Sequence, residues 1–292
     1  MRRVLMVVHK MRDSAKELAI KATRELANYN IEVISVDDLE CNKNMDFELI
    51  LVLGGDGSIL SSAHYAREYN VPLIGINLGH VGFLAEMNPE DISTVVEKIA
   101  NKDYTIETRT TIEIRVQKPD GTIEKNWALN EAALIRKDNL HPAYLSVGID
   151  GEPISTFGCD GVIFATPTGS TAYAFSVGGP VVWPGVDALV LVPLAAHALF
   201  TRPLIVSSTS KLQVSVLPNQ WDNLTICCDG IRTIDVPEGS QICAIADKTP
   251  IQVARMNDTP FSARLVAKFN LPVNGWRESS TNTSTIEKKN ND

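Results

Sequence analysis

Apolar runs alternate with stretches of helical spacing over the first hundred residues. Val4 to Val8 predicts a buried strand, and in the helix after it Ser14 and Glu17 have the spacing of a capping box. Because strands that alternate with helices form a parallel sheet covered on both faces, ligand sites are expected at the carboxyl ends of the strands. Further strands are predicted at residues 31–36, 49–53 and 71–76, and further helices from about 58 to 69 and from about 91 to 100.

Near residue 105 the period of the apolar positions changes to two. Apolar and polar residues alternate at 112–116 and again at 212–216, which is typical of strands with one buried face. The second half of the chain is therefore predicted to be mainly antiparallel β-structure. Turn signals that separate its strands fall at residues 119–121, 150–151, 229–230 and 238–239.

These patterns divide the chain into an α/β domain with a parallel sheet, residues 1–105, and a β-rich domain, residues 106–276. The last segment of the second domain is a candidate to pack back on the first. Since the connection at 105 is short, we expect an active site in the cleft between the two domains. Residues 277–292 contain almost nothing apolar and are predicted to form a disordered tail.

A glycine turn, Gly54-Gly55-Asp56-Gly57, lies between the predicted strand 49–53 and the helix that follows it. Glycines let backbone N–H groups approach phosphate oxygens, and the helix dipole favours negative charge at that end. A carboxylate is costly in such a place, so Asp56 is expected to bind a metal or to take a proton from an attacking hydroxyl, as in phosphoryl transfer. The alternative is an Asp-Gly turn that only closes a strand. A second glycine-rich segment, 77–82, falls at the end of the next strand.

Small polar residues are densest between Asp160 and Ser176. A predicted strand at 162–165 leads into a loop that offers several hydroxyls and no positive charge. Such a loop suits ribose hydroxyls and amide groups, and Tyr173 could stack on a flat ring. An ordinary turn rich in serine and threonine is the alternative. The hydroxyls belong to Thr166, Thr168, Ser170 and Thr171.

One carboxylate, Glu131, follows Asn130 inside the apolar stretch 127–135. A carboxylate in an apolar strand is costly unless it is paired or faces a site. The sequence therefore leaves two interpretations open: Glu131 faces a binding site, or it lies in solvent at a strand end.

Composition excludes several classes of protein. The chain of 292 residues is 44% hydrophobic and 21% charged, as in folded globular proteins, and its net charge of −8 argues against a nucleic-acid partner. Five cysteines without a Cys-x-x-Cys motif indicate reduced thiols and no zinc site. The apolar run 188–199 is broken by Pro193 and is shorter than the roughly 20 residues of a membrane helix. We expect a soluble, cytoplasmic protein with no membrane partner.

Together these segments resemble the NAD kinase family, over roughly residues 4–270. The glycine turn alone is shared with diacylglycerol-type lipid kinases and phosphofructokinases, whereas the stretch that follows Asp160-Gly161 is specific. The resemblance is carried by Gly54-Gly55-Asp56-Gly57, Asn77-Leu78-Gly79, Leu129-Asn130-Glu131, Asp160-Gly161, Thr166-Pro167-Thr168-Gly169-Ser170-Thr171-Ala172-Tyr173, and Pro193 to Pro203 with His197 and Arg202.

The resemblance implies transfer of the γ-phosphoryl group of ATP, or of a phosphoryl group of polyphosphate, to the 2′-hydroxyl of the adenosine ribose of NAD, which yields NADP. It implies a divalent cation, expected to be magnesium, and a homodimer or homotetramer. Asp56 would be the general base, while Gly54, Gly55, Gly57 and Ser58 would accept the donor phosphates; no residue is assigned to the metal. The residues that would hold NAD are Asp56, Gly57, Asn130, Glu131, His141, Asp160, Thr171, Ala172, Tyr173, Ala174, Phe175 and Ser176.

Four positions depart from the usual pattern of the family. Ser58 stands in place of a common threonine, Ser61 in place of a basic residue, Gly158 in place of an arginine and Ile231 in place of a glutamine. These changes affect contacts to the donor phosphates and to the nicotinamide side rather than the reaction.

Two other functions compete with this interpretation. A lipid kinase of the diacylglycerol type would need an apolar groove or a basic membrane face, and it would leave residues 168–173 unexplained. A module that only senses NAD or NADP would keep residues 160–176 but would have no use for Asp56 among its glycines.

Overall fold

The computed structural model describes residues 1–9, 11–78, 82–85, 87–137, 140–199, 201–218 and 224–273. The predicted tail at 277–292 lies outside these residues, as do Gly79 and His80. Within the described residues, eighteen strands form three six-stranded sheets. No helix among them is both long and apolar enough to cross a lipid bilayer.

The first sheet consists of β1 (Arg2–Val8), β2 (Ile31–Ser35), β3 (Leu49–Leu53), β4 (Leu73–Ile76), β5 (Thr105–Arg109) and β18 (Ile251–Arg255). Its strand order is β2-β1-β3-β4-β18-β5, and only the β18–β5 pair is antiparallel. Parallel strands place their carboxyl ends at one edge of the sheet, so the segments after β1, β2, β3 and β4 meet there.

Helices cover both faces of the first sheet. One face packs on α1 (Asp13–Ala27) and α4 (Ile92–Asn101), and the other on α2 (Val36–Cys41) and α3 (Asp56–Tyr69). Every residue of β3 is therefore buried, which explains why its sequence is a continuous apolar run rather than an alternating one.

The capping box predicted at Ser14 and Glu17 is wrong. Helix α1 begins at Asp13, with Arg12 at the N-cap position and no side-chain cap. A capping box lies instead at the start of α2, where Ser35 Oγ accepts the Asp38 N–H at 3.1 Å and Asp38 Oδ2 accepts the Ser35 N–H at 2.9 Å. This box ends β2 at Ser35, one residue before the predicted end of that strand.

The second and third sheets are antiparallel and pack on each other. Alternate residues of both, with Phe164 at the centre, form one continuous apolar core. The strands are β6 (Ile112–Gln117), β7 (Ile123–Ala128), β8 (Glu131–Arg136), β9 (Ala143–Ile149), β10 (Glu152–Cys159), β11 (Gly161–Ala165), β12 (Ala188–Leu194), β13 (Leu204–Ser207), β14 (Leu212–Val216), β15 (Leu224–Cys228), β16 (Arg232–Val236) and β17 (Gln241–Ala246). Their orders in the two sheets are β10-β9-β14-β17-β6-β7 and β13-β12-β11-β8-β15-β16.

The predicted fold class, an α/β part with a parallel sheet followed by an antiparallel β part, is confirmed. The first sheet also takes strands from beyond the predicted boundary at 105, since β5 begins there and β18 comes from the end of the second half. The boundary itself stays a prediction. Two short helices complete the described chain, α5 (Tyr173–Ser176) and α6 (Phe261–Phe269), along with 3-10 turns at Pro89–Asp91 and Thr168–Thr171.

Truncation of Phe164 to alanine should destabilise the sandwich of the second and third sheets. Its ring is fully buried in the core between the two sheets, so removing it leaves a cavity and costs about 3–5 kcal/mol. Urea unfolding followed by circular dichroism measures the loss. Ile154→Ala is the matched control because that side chain is 47% exposed, and equal midpoints for the two variants would contradict the packing described.

Candidate active site

Asp56 is the first residue of α3, directly after the glycine turn that ends β3. Gly55 is the N-cap residue, and the Gly54 N–H donates to the Ile76 carbonyl of the neighbouring strand at 2.9 Å. A Cβ on Gly54 would approach Ser58 Oγ to 2.2 Å, so the fold requires glycine at this position. The turn therefore fixes Asp56 at the carboxyl edge of the first sheet.

The carboxylate of Asp56 accepts three backbone hydrogen bonds from the segment after β4. Phe83 N–H donates to Oδ2 at 2.9 Å, and the N–H groups of Leu84 and Ala85 donate to Oδ1 at 3.0 and 3.2 Å. A carboxylate has about four lone-pair sites, so these bonds fill both sites of Oδ1 and leave one on Oδ2. A Cβ on Gly82 would lie 2.4 Å from Oδ1, which explains the glycine there.

Free amide groups surround this carboxylate. Within the described residues, the N–H groups of Gly55, Asp56 and Gly57 form no hydrogen bond, as expected for the first turn of a helix. A Cβ on Gly55 or Gly57 would meet no atom within 4 Å. The packing of the chain does not require glycine at these two positions, but close approach of a ligand to the backbone would.

A cavity of about 890 Å³ opens beside Asp56 at the carboxyl edge of the first sheet. This volume suits a ligand of nucleotide size. Strand ends and the glycine turn provide one side of the cavity, and α6 reaches it through one residue. Its lining includes Val8, Ser35, Gly55, Asp56, Asn77 and Lys268.

A second group of predicted residues lies where β8 begins. The buried carboxylate of Asp229 accepts the N–H groups of Leu129 and Asn130 at 2.8 and 2.7 Å, and Arg232 Nη2 donates to it at 2.9 Å. Burial raises the pKa of Asp229 although these donors act in the opposite direction. Asn130 is thereby held in place by its own backbone, and its side chain does not determine that position.

The surroundings of Glu131 favour its protonated form. Burial and the neighbouring charge of Asp229 raise the pKa of Glu131 to about 7, against the effect of the Tyr173 N–H. Its Oε2 atom is buried and has no hydrogen-bond partner among the described residues. The burial of this carboxylate argues against the interpretation that Glu131 lies in solvent at a strand end, and its role in a binding site stays a prediction.

Two of the hydroxyls predicted to face a ligand donate hydrogen bonds to backbone carbonyls of the protein instead. Thr166 Oγ1 donates to the Leu129 carbonyl at 2.6 Å, and Ser170 Oγ donates to the Pro167 carbonyl at 2.7 Å. Both residues are fully buried. A Cβ on Gly169 would lie 2.0 Å from the Asn130 carbonyl oxygen, so this loop is packed directly on the start of β8.

The remaining candidates in this loop lie on α5 and just before it. Tyr173 and Phe175 are 42% and 38% exposed, whereas Ala174 between them is fully buried. Thr171 and Ala172 are half-buried, and Ser176 is exposed. The Tyr173 N–H lies near the Glu131 carboxylate, so α5 begins next to the start of β8.

Asp160 and His141 lie away from this group in the same chain. Gly161 pairs with Ile135 and Ala165 pairs with Glu131, so Asp160, five residues before Ala165, is about 17 Å along the strand from Glu131. Asp160 forms an ion pair with Arg136 Nε at 2.7 Å. His141 precedes β9 at this far end, where Ala143 pairs with Cys159. That Asp160 and His141 bind the same ligand as Asn130 and Glu131 stays a prediction.

Sequence reasoning missed three parts of the site. The sequence predicts only a turn at Asp229, although an aspartate before a glycine also suits a buried carboxylate that accepts hydrogen bonds from nearby amides. The amides of 83–85 carry no sequence signal at all. Helix α6 joins the site through an aromatic cluster, defined by Phe83, Phe175, Trp183, Phe261 and Phe269.

No group of three or more His, Cys, Asp or Glu side chains suited to a metal ion occurs among the described residues. The donor set at the glycine turn nevertheless fits a magnesium ion that arrives with phosphate. Mg²⁺ is commonly held by one or two carboxylates together with substrate phosphates and water. The free lone pair of Asp56 Oδ2 is the carboxylate site that this part of the cavity offers.

A glycine turn with one carboxylate at a helix N-terminus, open to a nucleotide-sized cavity, defines a phosphotransferase site. Comparison with known proteins agrees. Residues 34–104 match the ATP-NAD kinase N-terminal domain, and residues 129–256 match the ATP-NAD kinase C-terminal domain. These two matches cover more than half of the sequence, and the chain belongs to the NAD kinase family.

Individual relatives are similar over most of their length. An NAD kinase from Leifsonia xyli subsp. xyli is 49% identical over 232 residues, which cover 80% of this chain and 76% of that protein. An NAD kinase from Mycobacterium leprae is 41% identical over 302 aligned positions, covering 94% and 97%. The crystal structure of yeast NADH kinase complexed with NADH shares the fold, with a TM-score of 0.83 at 24% identity, covering 94% of this chain and 89% of that one.

Replacement of Gly57 by alanine should lower activity without destabilising the protein. The new Cβ meets no atom of the chain, and alanine is favoured over glycine inside a helix by up to about 1 kcal/mol. The methyl group would occupy the space over the free amides, so we expect activity to fall at least about tenfold, the effect of losing roughly one charged hydrogen bond.

Gly82→Ala is the matched comparison, because its Cβ would displace the Asp56 carboxylate and should lower both activity and melting temperature. Scanning calorimetry and initial rates measure the two properties. A Gly57→Ala protein with full activity would show that nothing approaches this backbone.

Replacement of Glu131 by glutamine should make the protein more stable at pH 8 but not at pH 4. The folded-state pKa of about 7 lies above the ordinary value of 4.5, so the stability linked to Glu131 is complete below pH 4.5 and is lost as the pH rises through 7. The difference at pH 8 should reach about 3 kcal/mol at most. Melting temperatures from pH 4 to 8 test this, and parallel curves for both proteins would contradict it.

Proposed function

We propose that this chain phosphorylates NAD at the 2′-hydroxyl of its adenosine ribose, with ATP as the donor and NADP as the product. The observation that carries the proposal is the carboxylate of Asp56, which three amides orient beside the free amides of the glycine turn. An oriented acceptor of a proton next to an anion site is what phosphoryl transfer to a hydroxyl needs.

Asp56 would act through its one free lone pair. Because amides fill the other sites, the 2′-hydroxyl can donate only to Oδ2, and this fixes the direction from which the oxygen attacks. The hydroxyl proton passes to Oδ2 as the new P–O bond forms and the bond to the leaving phosphate breaks. If the hydroxyl occupies Oδ2, the magnesium ion is held mainly by the donor phosphates and water.

The acceptor would bind between the start of β8 and α5. Asn130 and Glu131 offer an amide and a carboxylate for the adenosine, and the exposed ring of Tyr173 offers a flat surface for stacking. Thr171, Ala172, Ala174, Phe175 and Ser176 complete this segment, in which the buried Ala174 anchors the backbone. The absence of positive charge in the loop fits a ligand recognised through hydroxyls and amides.

The donor phosphates would bind at Gly54, Gly55, Gly57 and Ser58. Of these, Gly55 and Gly57 have the free amides and the open space, while Ser58 N–H already donates to the Gly55 carbonyl at 2.9 Å. Polyphosphate has the same phosphate chain as ATP without the nucleoside, so we include it as a possible second donor.

A homodimer or homotetramer in the cytoplasm is also part of the proposal. A second copy would allow Asp160 and His141 of one chain to reach a nucleotide bound at Glu131 of another, since the β8–β11 register keeps them apart within one chain. Five free cysteines agree with a reducing compartment. Light scattering of the purified protein would measure the oligomeric state.

Replacement of Asp56 by asparagine should abolish NADP formation while leaving NAD bound. Asparagine can keep the contacts of Oδ1, but its NH₂ group cannot accept a proton. We expect a loss of at least a thousandfold in kcat, measured with NAD, ATP and magnesium and an NADP-specific dehydrogenase. Asp103→Asn, a change of the same chemistry after α4, is the control.

The same assay separates the competing functions. If wild-type protein binds NAD but forms no NADP with ATP or polyphosphate, the chain is an NAD sensor. If it does not bind NAD, lipid acceptors such as diacylglycerol become the substrates to test.

A further inference from the structure

The cavity beside Asp56 has an unfavourable charge for a polyanionic donor. Its described lining contains three carboxylates, Asp37, Glu40 and Asp56, and two permanent cations, Arg12 and Lys268. The glycine amides direct hydrogen bonds but carry no net charge. A triphosphate therefore needs both cations, in addition to its metal, to balance the negative charge around it.

Arg12 approaches the cavity from the loop between β1 and α1. It occupies the N-cap position of α1, and its Nη1 donates to the Leu78 carbonyl at 2.8 Å. This bond joins the ends of β1 and β4 across the edge where the glycine turn lies. The remaining donors of the guanidinium stay available to a ligand.

Lys268 comes from the other end of the chain, on α6. No residue of α6 is fully buried, so this helix is held by few contacts. The ring centroid of Phe269 lies 4.5 Å from that of Phe175 and 5.9 Å from that of Phe83. The ring centroid of Phe261 lies 5.7 Å from that of Phe83. The aromatic cluster thus sets the position of Lys268.

Both partners of Phe269 belong to the proposed machinery. Phe83 supplies the amide that binds Asp56 Oδ2, and Phe175 lies on the segment expected to hold NAD. Lys268 is next to Phe269 in sequence and enters the cavity at the glycine turn. The aromatic cluster therefore links the acceptor segment, the catalytic carboxylate and a cation in the donor cavity.

We propose that Lys268 and Arg12 bind the phosphate chain of the donor from two sides, and that the aromatic cluster positions Lys268 for this role. The proposal rests on the proposed function and adds to it the residues that hold the donor. Lys268 forms no ion pair within the described residues, so its charge is free for a phosphate.

The test uses the full chain with Lys268→Gln and Lys268→Arg, and with Lys125→Gln as the matched control on β7. Initial rates are measured against ATP at saturating NAD, and binding of Mg-ATP is measured by calorimetry. A hydrogen bond to a charged group corresponds to about 10- to 100-fold in affinity, so KM for ATP should rise at least about tenfold in Lys268→Gln. Lys268→Arg should retain most of the affinity, and KM for NAD should change less than about twofold.

Two further measurements distinguish donor binding from a general effect on the fold. Arg12→Gln should raise KM for ATP in the same way, and in both variants this constant should depend less on salt concentration than in the wild type. Phe269→Ala should also raise KM for ATP although it removes no charge, since it releases the helix that carries Lys268.

The proposal fails if Lys268→Gln matches Lys125→Gln in both KM for ATP and Mg-ATP affinity. It also fails if Lys268→Gln changes KM for NAD as strongly as KM for ATP, because the effect would then not belong to the donor. If the wild-type protein forms no NADP, the proposed function fails instead, and direct binding of Mg-ATP to the two variants still decides the role of Lys268.

Discussion

The three amide hydrogen bonds to the carboxylate of Asp56 are the constraint on which the site depends. They join two neighbouring parallel strands, because Asp56 follows β3 and its donors follow β4. A carboxylate at a helix N-terminus among free amides would otherwise have several rotamers. With both sites of Oδ1 filled and no room for a side chain at Gly82, one lone pair remains on Oδ2 of a residue that lines the cavity.

The start of β8 follows the same principle with a different buried carboxylate. Asp229 binds the amides at 129 and 130, and Gly169 lets the loop approach the Asn130 carbonyl. Because backbone groups make these contacts, the side chains of Asn130 and Glu131 do not determine the local fold. Burial raises the pKa of Glu131, and its Oε2 atom has no hydrogen-bond partner among the described residues.

Between these two regions lies a helix with little burial of its own. Helix α6 contacts the segment after β4 through Phe83 and α5 through Phe175. Each aromatic contact contributes about 0.5–1.5 kcal/mol, so a few weak contacts hold α6 to both regions.

Elements that depend on local pattern could be predicted from the amino-acid sequence. The apolar run of β3, the alternation in β6 and β14 and the glycine turn at Asp56 were all readable, since period and backbone freedom are properties of neighbouring residues. The family resemblance named more candidate site residues than the periodicity of apolar positions could. The Ser14 capping box was wrong because spacing alone does not show where a helix begins.

Which groups meet in the folded chain depends on long-range packing and could not be predicted. Backbone amides at 83–85 have no sequence signal, so their bonds to Asp56 could not be predicted. The register of β8 and β11 separates Asp160 from Glu131, although both stand next to motifs of one family pattern. Lys268 lines the cavity beside Asp56 although the two residues are far apart in the chain. Such contacts depend on how distant strands and helices pack, and local sequence does not encode that distance.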